Sequence, residues 1–123
     1  MAGTVTVEEV SFHGISKIKW SWTCTAAGAA DLATTFSYYG EVLALLTDPD
    51  GTDVPTLNYD ITVTDPDGYD VMQAAAANRS DTATQQVVPT AKSIAVGKLT
   101  LNVTNAGNAK KGVAILYIHG SRV

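Results

Sequence analysis

One cysteine in 123 residues, Cys24, leaves no internal disulfide to hold the fold. Charge is also scarce: Asp, Glu, Lys and Arg make up 16% of the chain, against about 25% in an average globular domain. The net charge is −4 and the basic residues cluster nowhere beyond Lys110-Lys111. That excludes a nucleic-acid partner, whose phosphates require a basic face, and an anionic membrane surface for the same reason. No stretch approaches the ~18 apolar residues of a membrane span. The opening MAGTVTVEEVSF lacks the basic and apolar regions of a signal peptide, so the expected protein is made in the cytoplasm and is soluble there. GxSxG, HExxH, CxxC and phosphate-cradling glycine motifs are all missing.

What fills the space is small and β-branched, with 16 threonines and 17 alanines. Such side chains suit pleated surfaces, and a low-charge exterior is weakly repelled by neighbours. That composition hints at packing into an assembly, although threonine-rich β domains share it. The length gives one domain, residues 1–123, able to bury roughly two-thirds of its unfolded surface.

Alternation with period two dominates. Val5 and Val7 share one face and the threonines between them the other; Glu8-Glu9 breaks this phase before Val10 and Phe12 and predicts a bulge. His13-Gly14 predicts a turn into ISKIKWSWTC, whose Ile18, Trp20, Trp22 and Cys24 point inward. TAAGAADLATT reads as a loop, and Phe36 to Leu46 as a strand interrupted at Gly40 with a doubly buried apolar end. Asn58 to Thr64 turns Tyr59, Ile61 and Val63 to one side, and Asp70 to Met72 can return beside it. Gln73 to Asn78 is the one helix-leaning stretch. Gln85 to Val88, Lys98 to Thr104 (Leu99, Leu101 and Val103 inward) and Val113 to Ile118 complete the strands, with Asn105 to Gly112 as turn. The result is an all-β fold: a single antiparallel β-sandwich, jelly-roll-like or Ig-like, with seven to nine strands and at most one short helix.

TDPDGTD at Thr47–Asp53 and TDPDGYD at Thr64–Asp70 are nearly the same heptad. As calcium loops they would offer Asp48, Asp50 and Asp53, or Asp65, Asp67 and Asp70. The glycine comes two residues early, and Tyr59 and Ala76 stand where a closing Glu is required. As structural repeats they are too few. Asp-Pro-Asp-Gly is in any case a type I turn sequence, so both copies are expected to be turns, each followed by a glycine bulge.

Catalytic constellations are equally thin. His13 and His119 each sit beside a glycine at strand ends, and Cys24 lies in the inward phase of its strand. The reading is therefore of a protein that is not an enzyme and has no catalytic residues, resident metal or cofactor. Trp20 and Trp22 belong to the core rather than to a sugar platform.

The stretches ISKIKWSWT, NYDITVTDPDGYDVM…AAAANRSDT and GKLTLNVTNAGNAKKGVAILYI resemble a group of small structural proteins from tailed bacteriophages and prophages. The similarity covers nearly the whole chain and carries no functional residues across. It implies a virion component made in the host bacterial cytoplasm, foremost a capsid decoration (cement) protein that stabilises the outer shell. The implied partners are the major capsid protein or other virion proteins, with the chain itself a homo-oligomer, a trimer among the options. Its ends, Met1 to Thr4 and Gly120 to Val123, would add a strand to a neighbour's edge. The alternative is a neck, tail or fibre component that recognises a host-surface glycan, for which Tyr38, Tyr39 and Tyr69 are the aromatic candidates.

Overall fold

The computed structural model describes residues 3–123 and is all-β, with nine strands and no helix among the described residues. The strands are β1 (Thr4–Phe12), β2 (Ile15–Thr23), β3 (Ala30–Ala33), β4 (Tyr38–Pro49), β5 (Asp60–Thr64), β6 (Gln85–Val87), β7 (Ile94–Gly97), β8 (Thr100–Thr104) and β9 (Lys111–Arg122). They form two antiparallel sheets. The larger has the order β1-β2-β9-β4-β6, with β7 also paired to β4; the smaller has the order β3-β8-β5.

The core lies between them. β2 buries Ser16, Ile18, Trp20 and Trp22 in strict alternation, and these face Ile61, Val63, Leu101 and Val103 of the small sheet. Trp22 packs on Tyr59 with ring centroids 5.6 Å apart. Burying side chains of this size contributes roughly 1.5–3 kcal/mol each, which is how the chain dispenses with disulfides. Cys24 is a buried free thiol packed in the core, and burial pushes its pKa up to about 11.

Several elements depart from the sequence expectation. β1 has no bulge: it pairs with β2 without a break from Thr4↔Thr23 to Phe12↔Ile15. Glu9 simply takes an inward position and turns Val10 and Phe12 out to solvent. TAAGAADLATT contains β3 rather than being all loop, and Ile94–Gly97 adds the unforeseen β7. β4 runs through Gly40, and its irregularity falls between Val42 and Ala44. That bulge resets the phase, leaving Leu45 buried and Leu46 half-buried. Asp70 to Met72 makes one bridge to Thr64 and a bond from Val71 N to Val63 O (2.8 Å) without becoming a strand.

Gln73 to Asn78 is not helical. Gln73 and Ala74 both adopt left-handed backbone (φ 55° and 64°), and the segment descends by successive turns. Asp70 enforces this, its Oδ1 accepting from Met72 N and Val63 N and its Oδ2 from Ala74 N. The alanines' helix propensity is overridden by a carboxylate that gathers the amides and by burial of Val71, Met72 and Ala76.

The two heptads differ. In the second, Gly68 N bonds Asp65 O (3.0 Å), Asp65 Oδ1 accepts from Asp67 N and Tyr69 N, and Gly68 has φ 82°. That is the expected turn and glycine bulge. In the first, Asp48 and Pro49 are still strand, opposite Val113 and Gly112 of β9, and the chain bends only at Asp50, whose Oδ2 accepts from Thr52 N and Asp53 N. Continued pairing with the twelve-residue β9 postpones the turn.

Gly40 and Gly120 are cross-strand partners on β4 and β9. A Cβ at Gly40 would overlap the His119 carbonyl oxygen and lie 3.0 Å from Gly120 Cα. Gly40→Ala should therefore lower stability by about 1–3 kcal/mol, read as a reduced urea midpoint; an unchanged midpoint would show that the two strands are not pressed together.

Candidate functional site

The carboxylates proposed for calcium do not converge. Asp50, Asp65 and Asp70 are occupied by backbone amides, Asp48 accepts from Thr84 Oγ1 (3.0 Å), and Asp53 lies 3.4 Å from Lys111 Nζ in an exposed pair. Asp67 sits at the tip of its turn, exposed. Among the described residues no group of three or more His, Cys, Asp or Glu side chains comes together. His13 is in the β1–β2 turn and His119 on the outer face of β9, both exposed.

What the fold does build is a contrast between two outer faces. Strand registers align rows across the large sheet: Phe12, Ile15, His119, Glu41 and Ile94 in one, Val10, Lys17 and Tyr117 in the next, with Leu43 at the bulge beside it. Tyr39 and Val96 pair in the row beyond Ile94. Val10, Phe12, Tyr39, Leu43, Ile94 and Val96 are each between 37% and 55% exposed. At ~4.8 Å between strands and ~3.3 Å per residue, the region these side chains occupy spans roughly 400 Å² of sheet, with Lys17, His119 and Glu41 lying among them. Charges of both signs are interspersed on the same face, namely Glu8, Lys17, Lys19 and Glu41.

The small sheet's outer positions are Asp31, Ala33, Asp60, Thr62, Thr64, Thr100, Asn102 and Thr104. That face is polar almost throughout. The two faces arise from opposite alternation patterns: β5 and β8 read polar-out, whereas β7 and the distal half of β1 present Val, Ile or Phe outward.

Below the apolar half, the large sheet ends in an open depression of about 650 Å³ lined by the Thr4, Thr6, Ser21 and Thr23 hydroxyls with Asp48 and Lys111. Of the three tyrosines named as glycan candidates, Tyr39 and Tyr69 are exposed. Tyr38 is not: it is fully buried and donates its hydroxyl to Glu9 Oε1 (2.8 Å).

Glu9 closes the sandwich at this end. Its Oε2 accepts from Thr35 N (2.9 Å) and its Oε1 from Phe36 N (3.1 Å) as well as from Tyr38. Arg122 stacks 4.2 Å over the Phe36 ring and donates to the Glu9 carbonyl oxygen. Burial by itself would raise the Glu9 pKa; the bonds from Thr35, Phe36 and Tyr38 outweigh it and hold the carboxyl below its ordinary value. Burial, with the bond to Glu9, raises Tyr38. The terminus is tied in too: Val123 and Ser37 exchange two backbone bonds, and Gly120–Arg122 is part of β9. The expected free C-terminal arm is therefore a paired strand. At the other end Thr4 already begins β1, and Met1 and Ala2 lie outside the described residues.

A second polar feature was invisible in the sequence. Arg79 is 7% exposed, and its Nε and Nη2 donate to Ala75 and Ala77 carbonyls. It has no carboxylate partner among the described residues, and burial lowers its pKa. Tyr59, whose pKa burial pushes up to about 12, lies beside it and beside Thr47 Oγ1 without hydrogen-bond geometry to either. Glu9 and Arg79 each hold a loop through backbone groups.

No family model matches this chain, and no curated protein sequence matches it.

A carboxyl held below its unfolded value contributes stability that is full above about pH 4.5 and is lost as pH falls through the lower folded-state value. Glu9→Gln should cost about 1–3 kcal/mol at pH 7, and wild type and variant should converge in stability as pH is lowered below 4. Urea unfolding at pH 7, 4 and 3 checks this; a difference independent of pH would mean that the charge on Glu9 contributes nothing.

Proposed function

We propose that this protein is a non-enzymatic structural component of a tailed-phage virion, a decoration protein that cements the outer capsid shell. The observation that carries the reading is the asymmetry of the sandwich: half of the large sheet's outer face exposes apolar side chains among a few charges, while the small sheet's outer face is polar almost throughout. Phe12 on one side of the large sheet and Ile94 and Val96 on the other are each about half exposed; a surface component gains an attachment face on one side and a hydrated face on the other. The residues resembling phage structural proteins supply the setting, with the major capsid protein or other virion proteins as the surface attached to. Attachment of this kind needs area in many copies rather than chemistry, because each added contact strengthens the whole by avidity.

A second reading is a neck, tail or fibre component that recognises a host-surface glycan. The hydroxyl-lined depression at Thr4, Thr6, Ser21, Thr23 and Asp48 favours it, since hydroxyls and a carboxylate are ordinary partners for sugar hydroxyls. Binding of the isolated chain on a glycan array, abolished by Ser21→Val, would select this reading over cementing.

The cement reading predicts that a Phe12→Ser, Val96→Ser double variant folds normally yet loses at least about tenfold in co-sedimentation with shells lacking the protein. An undiminished bound fraction, or absence of the wild-type chain from purified particles, would overturn it.

A further inference from the structure

We propose that β1 pairs antiparallel with β1 of a second copy, so that two large sheets become one continuous sheet. β1 is the terminal strand of the large sheet and the one long strand in it without a single buried residue. The His13-Gly14 turn, with φ 52° and 78°, makes Phe12↔Ile15 the closing bonded pair. Alternation then directs the N–H and C=O groups of Val10, Glu8, Thr6 and Thr4 to β2. Those of Ser11, Glu9, Val7 and Val5 point away from the sheet. The nearest strand of the small sheet, β3, makes no backbone bond to β1 among the described residues.

The edge is guarded over half its length. Glu9 turns a carboxylate inward there and lends its carbonyl to Arg122, and an inward charge is a usual means of discouraging strand addition. The half from Thr4 to Val7 has no such device: no proline, no bulge and no charge. It offers four free groups, the amide and carbonyl of Val5 and of Val7. A two-fold axis through Thr6 sets Val5 against Val7 of the other copy, and the reverse, so that all four are satisfied in each copy. No other register uses every bare group while leaving Glu9 out. A second copy of this chain is thus the occupant whose donors and acceptors match in number and spacing. Because paired antiparallel residues share a face, the two apolar outer faces would lie on the same side, doubling the area available for attachment.

Proline separates this pairing from mere packing. Val7→Pro deletes an N–H that points away from β2, so it costs the β1–β2 ladder nothing, whereas Val7→Ala keeps the N–H and trims the side chain. In analytical ultracentrifugation of the full chain, wild type and Val7→Ala should sediment as dimers. Val7→Pro should raise the dissociation constant by roughly tenfold or more with an unchanged circular dichroism spectrum. Hydrogen exchange on the wild type is the companion measurement, with the Val5 and Val7 amides protected at high concentration and released on dilution. A monomeric wild type, an oligomer that survives Val7→Pro, or Val5 and Val7 amides that exchange freely at every concentration would each overturn the proposal. Such failure leaves the attachment reading intact, because that reading rests on outward side chains and not on the strand edge.

Discussion

Six strands in one sheet and three in the other cannot cover each other symmetrically, and only inner faces meet. Everything else in the molecule follows from how the chain meets that constraint. The inner faces supply the core, built on Ile18, Trp20 and Trp22 against Ile61, Val63, Leu101 and Val103. The small sheet's back is left to water and is written in Thr, Asn and Asp. The large sheet's back is left uncovered too, yet carries Val, Ile, Phe and Tyr over half its extent. About half of each of these side chains is still open to water, which is the feature the proposed attachment rests on.

The polar interior groups serve the same architecture. Glu9 gathers two amides and a hydroxyl from the Thr34–Tyr38 segment, and Arg122 completes the closure by covering Phe36. This ties the start of β4 and the end of β9 to β1. Asp70 does the equivalent for the turns after β5, and Arg79 holds the same segment from inside. Carboxylates that looked like metal ligands in the sequence are thereby spent on backbone amides, where a charge-assisted bond is worth more than a neutral one.

Much of the fold was legible from alternation alone. β2, β5 and β8 follow the simple pattern of one buried residue in two, and their inward residues are the ones periodicity selects. The misreadings share one cause, which is that local pattern says nothing about partners. Glu8-Glu9 looked like a break in phase because a glutamate facing inward is costly unless the loop that satisfies it is known, and that loop is 26 residues away. The same error hid the outward turn of Val10 and Phe12, since a bulge was expected where β1 in fact pairs without a break. Ile94–Gly97 was too short and too weakly flanked to stand out, and QAAAA followed its helix propensity until Asp70 overruled it. The first heptad was read by its own turn chemistry while its strand was still paired with β9. The site was less legible than the fold, because a face made of six strands distant in sequence has no linear signature.

Protection of side chains upon assembly tests the central claim most directly, since it asks which back of the sandwich is covered. Hydroxyl-radical footprinting of the free chain and of the chain on assembled particles should show Phe12, Tyr39, Ile94 and Val96 strongly protected on the particle. Tyr69 and Leu57, exposed and outside the strands of the large sheet, should keep their reactivity. Protection confined to the small sheet's side, with the large sheet's apolar residues as reactive as in the free chain, would contradict the account.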